Sequence, residues 1–469
     1  MATHLSGTSS SSSNVITEAW LLDLKDNSVA NQLDDPSYWA TDPSRLITTS
    51  SPTSFRIGTG FRVLSSILPI CATAKHEVII VTCFWAKSTS RDEIASLLRT
   101  LSVRGVESGQ KIDVRLCFSS ISLFQKLFQT TSLSGQIYGP KSWPNLGLPG
   151  PEDLGGVDLV VKSVFVRPFS VMHPKFILVD RKIAFVPSCN VSWENWFEGC
   201  VEMRGRISDK LFDFWRAFWS RGGADLPASL PKNTDIMLVQ DFITPASKSI
   251  LGLGTFSADQ PPISTILLPS PHHMNPCFSL LRSSPPPTPL NLFLLRLFTH
   301  ARRSIYIQTP NLTSFPMMSA LFNALQRGVD IHLVTSTRLM ILEQLVTAGT
   351  VTEFAIWKLR RRYQQLLSQY NSTLSNPSDP ENLMEKPGRL KIGYYHPRPN
   401  VIGEDEPVKS HLKLVIMDEE ISVLGSGNQD RASWYTSQEL GVALLDAKVT
   451  CEIMRTVQEG LEGRVDYIC

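Results

Sequence analysis

The sequence lacks the features that would tie it to a membrane span, a metal cluster or a disulfide scaffold. No run approaches the roughly 18 uninterrupted apolar residues of a spanning helix; NLFLLRLF, from Asn291 to Phe298, is short and broken by Arg296. A transmembrane helix is therefore not expected, and peripheral membrane contact is left open. The eight cysteines, Cys71, Cys83, Cys117, Cys189, Cys200, Cys277, Cys451 and Cys469, form no CxxC pair and no dense framework. Zinc clusters and a disulfide-held fold are thus not indicated, and a reducing compartment fits best. Excess charge is also missing: 45 Lys plus Arg face 43 Asp plus Glu, a net charge of +2, which argues against a long basic nucleic-acid interface but not against local clusters. The opening MATHLSGTSSSSSN has neither the basic flank nor the apolar stretch of a secretory signal. Residues 1–53 are expected to be a flexible or irregular leader. The expected location is intracellular, cytoplasmic or peripheral on an organelle membrane, and not secreted.

What is present is the composition of a folded chain: 42% apolar residues, with 10 Trp and 22 Phe to fill interiors. At 469 residues the chain exceeds one ordinary core, so two domains of about 200 residues each are expected. Two series of segments repeat one order. Phe61 to Ala74 has helical apolar spacing, His76 to Trp85 is a compact β-rich run, DEIASLLRTLSVRG is a helix with acidic residues in its first turn, and KIDVRLCFSS is a strand. Leu290 to Arg303, SIYIQTPNL, PMMSALFNALQRG and VDIHLVTS then run helix, strand, helix, strand again. The reading is an α/β fold in two domains, 54–235 and 262–460, with a connector over 236–261.

Each series precedes the same arrangement. HPKFILVD starts at His173 and HLKLVIMD at His411: histidine, one residue, lysine, four residues, aspartate. Each is followed by a serine/asparagine element, PSCN ending at Asn190 and GSGN ending at Asn428. One copy alone reads as ordinary polar residues on a strand face. Two copies with the same trailing element point to one site assembled from two halves. In an extended segment His173 and Lys175 project to one face, as do His411 and Lys413. Asp180 and Asp418 sit where each strand turns back.

That set suits phosphodiester chemistry. A neutral histidine nitrogen can attack phosphorus, two lysines can neutralise the non-bridging oxygens, and a protonated second histidine can supply the proton that the departing alcohol needs. Ser188, Asn190, Ser426 and Asn428 could hydrogen-bond the phosphoryl oxygens or anchor neighbouring backbone. Glu202 and Glu439, twelve and eleven residues beyond the asparagines, could each fix the tautomer of the histidine in their own half, with Glu198 a competitor in the first half. Their bland alternative is a surface glutamate at a strand end. No metal or cofactor is called for, because lysine is a poor ligand while protonated and neither segment brings a close His/Cys/Asp cluster.

HPKFILVDRKIAFVPSCN and HLKLVIMDEEISVLGSGNQDRAS resemble the catalytic hairpins of the phospholipase D superfamily, whose members carry two HxKxxxxD motifs. The second keeps the usual Gly-Ser-x-Asn, whereas the first has Pro187 where glycine is common. The resemblance spans roughly residues 55–455. It implies two similar phospholipase D-like α/β sandwich domains about a pseudo-twofold axis, with His173, Lys175, Asp180, His411, Lys413 and Asp418 as the catalytic set. It also implies a covalent phosphohistidine, with His173 as nucleophile, His411 as leaving-group acid, and both aspartates organising the motif.

The expected reaction is phospholipid hydrolysis or phosphatidyl transfer to water or an alcohol. Aromatics in VSWENWF, from Val191 to Phe197, and SWYTS, from Ser433 to Ser437, would lie near the mouth; a packed interface is their alternative. The competing class is a nuclease or DNA-repair phosphodiesterase using the Arg360 to Arg362 cluster in the helix from Trp357 to Tyr370. The expected partner is a phospholipid or other phosphodiester, with no obligate protein partner.

Overall fold

The computed structural model describes residues 12–121, 134–166, 170–221, 223, 225–227, 250–271, 284–375, 385–399 and 405–469. Most of the expected connector, up to residue 249, and residues 376–384 of the loop after Tyr370 lie outside them.

Two runs of strands repeat one order. In the first, Gln136–Tyr138, Val157–Ser163, Ile112–Ser120, Glu77–Phe84, Phe176–Val179, Ile183–Pro187, Trp196–Arg204 and Ile47–Thr59 lie side by side. In the second, the order is Val465–Tyr467, Leu390–Tyr395, Asp330–Ser336, Ser304–Gln308, Leu414–Met417, Ile421–Gly425, Glu439–Leu445 and Ile263–Ser270. Both runs have an antiparallel edge strand, then three mutually parallel strands, then four antiparallel ones. The parallel part follows from helical crossovers, which return the chain in the same direction.

The two runs are not separate sheets. Ile47–Thr59 also pairs with Ile263–Ser270, placing Ile47 opposite Ile266, and Trp196 and Phe197 run parallel to Lys409 and Ser410. The halves therefore share one large mixed sheet. Gly252–Thr255, inside the expected connector, adds a further strand beside Ile47–Thr59.

The apolar pattern divides into three layers. Helices Gly60–Cys71 and Thr89–Ser108 cover one face of the first run, where Val63, Ile67 and Leu101 meet Val78, Ile80 and Leu116. Helices Pro289–His300 and Phe315–Gln326 do the same for the second, with Phe293, Leu297 and Leu321 against Ile307 and Leu333. Between the runs, helices Ile207–Phe218 and Ala447–Leu461 bury Phe214, Trp215, Ile453 and Val457 with Ile79, Phe176, Leu267 and Leu444. Val78 and Ile79 thus face opposite layers, the period of two expected of a strand buried on both sides. The outer helices start where the sequence supplies caps: Thr59, Ser88 and Thr288 accept the N–H groups of Arg62, Arg91 and Asn291. Thr89–Ser108 approaches the sheet so closely that a Cβ on Gly105 would lie 2.0 Å from the Gly156 carbonyl oxygen.

The leader expected over residues 1–53 is corrected from residue 12 onward. Ser12–Asp26 is a helix, and Ile47–Thr59 is the strand that joins the two runs. Ile16, Trp20 and Leu24 recur every four residues, so they form one stripe, and that stripe is buried against Phe293 and Leu297 of the second half. Trp20 Nε1 donates to the Pro289 carbonyl at 3.0 Å, and Arg296 pairs with Asp23.

Candidate active site

The His-x-Lys pairs lie in extended segments just before the short strands Phe176–Val179 and Leu414–Met417. Each strand turns back through two residues of positive φ: Asp180 and Arg181 at 48° and 50°, and Asp418 and Glu419 at 51° and 59°. Such paired left-handed residues match the twist of a tight hairpin. Asp180 and Asp418 hold these turns in place. The Asp180 carboxylate accepts N–H groups from Lys75, His76 and Glu77 at 2.8–2.9 Å, and Asp418 accepts those of Arg302, Arg303 and Ser304 at 2.8–2.9 Å. Both aspartates sit at the far end of the strand from the histidines and are absent from the cleft lining. Their role is to tie each hairpin to the neighbouring strand.

The histidines are brought together by pairing across the halves. His173 N donates to the Gln438 carbonyl and His411 N to the Phe197 carbonyl, each at 2.9 Å. The side chains cross over in the same way. His173 Nδ1 meets Glu439 Oε2 at 2.8 Å, and His411 Nδ1 meets Glu198 Oε1 at 2.6 Å. Each carboxylate is braced by a serine from its own hairpin: Ser188 Oγ donates to Glu198, and Ser426 Oγ donates to Glu439 at 2.5 Å. Those hydroxyls in turn accept the Gly199 and Leu440 N–H groups at 3.0 Å. Ser433, on the short helix Arg431–Tyr435, also donates to Glu439, at 2.7 Å.

This arrangement corrects two expectations. Each histidine takes its carboxylate from the opposite half, and in the first half that residue is Glu198. Glu202 lies on the same strand and face, four residues further along, which is about 13 Å at a strand's rise. There it bonds Ser54 Oγ at 3.0 Å and pairs with Arg56 at 2.9 Å.

Burial sets the electrostatics. His411 is 3% exposed in its side chain and His173 13%, so His173 is the more accessible of the two. Burial pushes His411 down to about 3, against the opposing pull of Glu198. It lowers His173 as well, with Glu439 opposing and both lysines adding to the shift. Lys413 is brought down to about 7 by its own desolvation, against the pull of Glu198. For Glu198 and Glu439 burial acts upward, but the neighbouring histidines, lysines and serines outweigh it and keep both carboxylates low. Burial thus favours neutral imidazoles beside charged carboxylates, with Nδ1 of each facing its carboxylate; Nε2 of His173 is left for chemistry, whereas that of His411 faces Lys413. Lys175 and Lys413 are 2% and 3% exposed and donate to the His173 and His411 carbonyls at 3.1 and 2.7 Å. Lys413 Nζ also lies 2.8 Å from His411 Nε2.

A cleft of about 250 Å³ opens onto the two histidines, lined by His173, His411, Asn190, Asn428 and Glu439 together with Phe84, Trp196 and Met340, while Lys175 and Lys413 lie behind this lining. The buried Oδ1 atoms of Asn190 and Asn428 have no hydrogen-bond partner among the described residues. Trp196 packs on the His411 ring at 4.6 Å between centroids, and Trp193 meets Phe84 edge-on at 5.9 Å while remaining exposed. The aromatics after the second hairpin behave differently. Trp434 and Tyr435 are buried in the second half's core, so they do not form the mouth. Among the described residues no group of three or more His, Cys, Asp or Glu side chains is arranged to hold a metal. No described helix is long and apolar enough to cross a membrane.

Residues 294–461 match the family model described as cardiolipin synthase, PLD-like domain. The chain thus carries a phospholipase D/cardiolipin synthase-like domain, which supports phosphodiesterase or transferase chemistry in general terms. Among solved structures, phosphatidylserine synthase of Haemophilus influenzae Rd KW20 is similar over 90% of this chain and 89% of its own, with a TM-score of 0.55 and 13% identity. That likeness shows a shared fold. Nuc, a phospholipase D family member of Salmonella typhimurium, is 18% identical over 44% of this chain and 98% of its own, with a TM-score of 0.28. Polyphosphate kinase of Porphyromonas gingivalis is 12% identical over 88% of this chain and 48% of its own, with a TM-score of 0.44. Compared with curated proteins by sequence, the chain matches none.

Proposed function

We propose that the chain cleaves phospholipid phosphodiesters through a covalent phosphohistidine on His173 and passes the phosphatidyl group to water or an alcohol. The observation that carries this reading is the crossed pair of dyads, His173 with Glu439 and His411 with Glu198, facing one cleft between two halves that share one sheet. Glu439 fixes His173 Nδ1–H, which leaves Nε2 to attack phosphorus. As the N–P bond forms, the P–O bond to the head group breaks, and the departing oxygen takes the proton from His411 Nε2. In the second step His411 removes a proton from water or an alcohol, whose oxygen displaces His173.

Charge balance explains how His411 becomes an acid. With both imidazoles neutral, the two glutamates are faced by two lysines, of which Lys413 is charged below about 7. An arriving phosphodiester monoanion adds one negative charge in a buried site, and the site restores balance by taking up one proton, which lands on His411 beside Glu198. Lys175 and Lys413, buried directly behind the histidines, offset the phosphate's charge, and the Asn190 and Asn428 amides orient the group from the cleft wall. The lysines supply the positive charge that a metal ion provides in other phosphodiesterases.

The test is product analysis in chelator with mixed phospholipids, single-stranded DNA and added glycerol or serine. Release of head group, or appearance of the exchanged lipid, is the expected result. Turnover of DNA alone would overturn the lipid assignment.

A further inference from the structure

The cleft is bordered by an element that the chemistry does not use. Met340 and Glu343 line the cleft, and helix Ile341–Ala348 begins between them. Its inward residue Gln344 is 2% exposed and is bonded to Leu339 O at 2.6 Å and to Thr352 N and Oγ1 at 2.8 Å. Its other face is bare: Leu342 is 80% exposed, Val346 56% and Leu345 47%. After a three-residue connection, helix Thr352–Ser375 continues the pattern, with Phe354 and Trp357 exposed and stacked at 5.5 Å between centroids. Lys358 lies 4.6 Å over the Phe354 ring, and the Arg361 guanidinium 5.5 Å over that of Trp357. Phe354, Trp357, Lys358 and Arg361 fall at i, i+3, i+4 and i+7, so aromatics and cations share one stripe. Of the two acids in these helices, Glu353 accepts the Arg338 N–H at 2.7 Å and Glu343 lines the cleft.

A solvated helix does not ordinarily leave leucine, valine, phenylalanine and tryptophan side chains bare together. Apolar side chains beside aromatics interleaved with cations suit the boundary between acyl chains and anionic head groups. We infer that the helix pair from Ile341 through Arg361 is a docking surface for an anionic lipid bilayer. Leu342, Leu345 and Val346 enter the acyl boundary, Phe354 and Trp357 lie at head-group level, and Lys358 and Arg361 meet the phosphates. The same contact brings the cleft mouth at Met340 onto the membrane, where a phospholipid substrate resides. This use rests on the lipid reading above; the docking itself does not.

Sedimentation with phosphatidylcholine/phosphatidylglycerol vesicles and with phosphatidylcholine vesicles tests the inference on the full chain. The wild type should partition to the anionic vesicles. Leu342→Glu/Leu345→Glu should weaken that partition by about tenfold or more. Lys358→Gln/Arg361→Gln should weaken it by about thirtyfold, and only where anionic lipid is present. Both variants should hydrolyse soluble bis(p-nitrophenyl) phosphate at the wild-type rate, which shows them folded. Partition unchanged in both variants overturns the inference. So does a dimer that Leu342→Glu dissociates, or retention of single-stranded DNA through Lys358 and Arg361 without vesicle binding. Vesicle binding that follows the predicted pattern without phospholipid turnover upholds the docking surface and defeats the proposed substrate.

Discussion

Replacing Glu198 with glutamine keeps an oxygen opposite His411 Nδ1 and removes the charge that supports its imidazolium. The contact is 2.6 Å long between side chains that are both 3% exposed, so solvent screens it little. A charge-assisted hydrogen bond contributes about 1.5–3 kcal/mol. Lost only when the proton is on His411, this corresponds to about a 10- to 150-fold fall in kcat. The assay compares a phospholipid, whose alkoxide leaving group needs a proton, with bis(p-nitrophenyl) phosphate, whose leaving group does not. Glu198→Gln should lose most of its first-turnover rate on the phospholipid and much less of its nitrophenol burst rate, because only the first step differs in its need for an acid. Glu202→Gln is the control: it strips a buried partner from Arg56 and should cost about 3–5 kcal/mol of stability, with kcat per folded molecule unchanged. Wild-type phospholipid turnover in Glu198→Gln, or the same kinetic loss in a folded Glu202→Gln, would refute the crossed pairing as a catalytic device.

Asp180→Asn should lower the denaturation midpoint by the equivalent of about 1–3 kcal/mol, because an amide nitrogen then faces backbone donors, while kcat of the folded enzyme stays within a few fold; a selective loss of kcat would make Asp180 a chemical participant. Trp20→Ala should destabilise the fold by about 3–5 kcal/mol in a chemical melt, since it empties a fully buried site between the N-terminal helix and Phe293; an unchanged melt would mean the helix is dispensable. Lys413, brought from 10.5 to about 7, is charged below that pH, so kcat/KM should fall as pH rises through about 7. The same group makes the folded state bind fewer protons than the unfolded chain between about 7 and 10.5, so its contribution to stability rises with pH across that window and is lost on descending it. Lys413→Met should flatten both dependences, and a kcat/KM flat across neutral pH in the wild type would contradict the assignment.

The repeated order of helices and strands was legible because apolar periodicity is local: the run from His76 to Trp85 matches the strand Glu77–Phe84 within a residue at each end. The two histidines and lysines were legible for the same reason, as matched spacings. The carboxylates were not. Counting from the asparagines gives eleven residues to Glu439, but eight to Glu198, because the second half inserts the short helix Arg431–Tyr435 before its strand. Loop length varies while strand register does not, and the register places Ser188 beside Gly199, hence beside Glu198. Matching Glu198-Gly-Cys-Val to Glu439-Leu-Gly-Val at the strand starts would have found the residue. The crossing of the dyads depends on how the halves meet, which no segment encodes by itself. The N-terminal helix was obscured by its polar serine run, although Ile16, Trp20 and Leu24 already carried a helical stripe.

The central claim, one covalent step on His173 completed by His411, is tested most directly in the His411→Asn variant. With bis(p-nitrophenyl) phosphate the first step needs no acid, whereas release of the adduct still needs His411 as base. Rapid mixing should show a burst of about one nitrophenol per enzyme, and mass spectrometry of the quenched protein should place the phosphoryl group on His173. No burst, or an adduct on any other residue, would contradict the account.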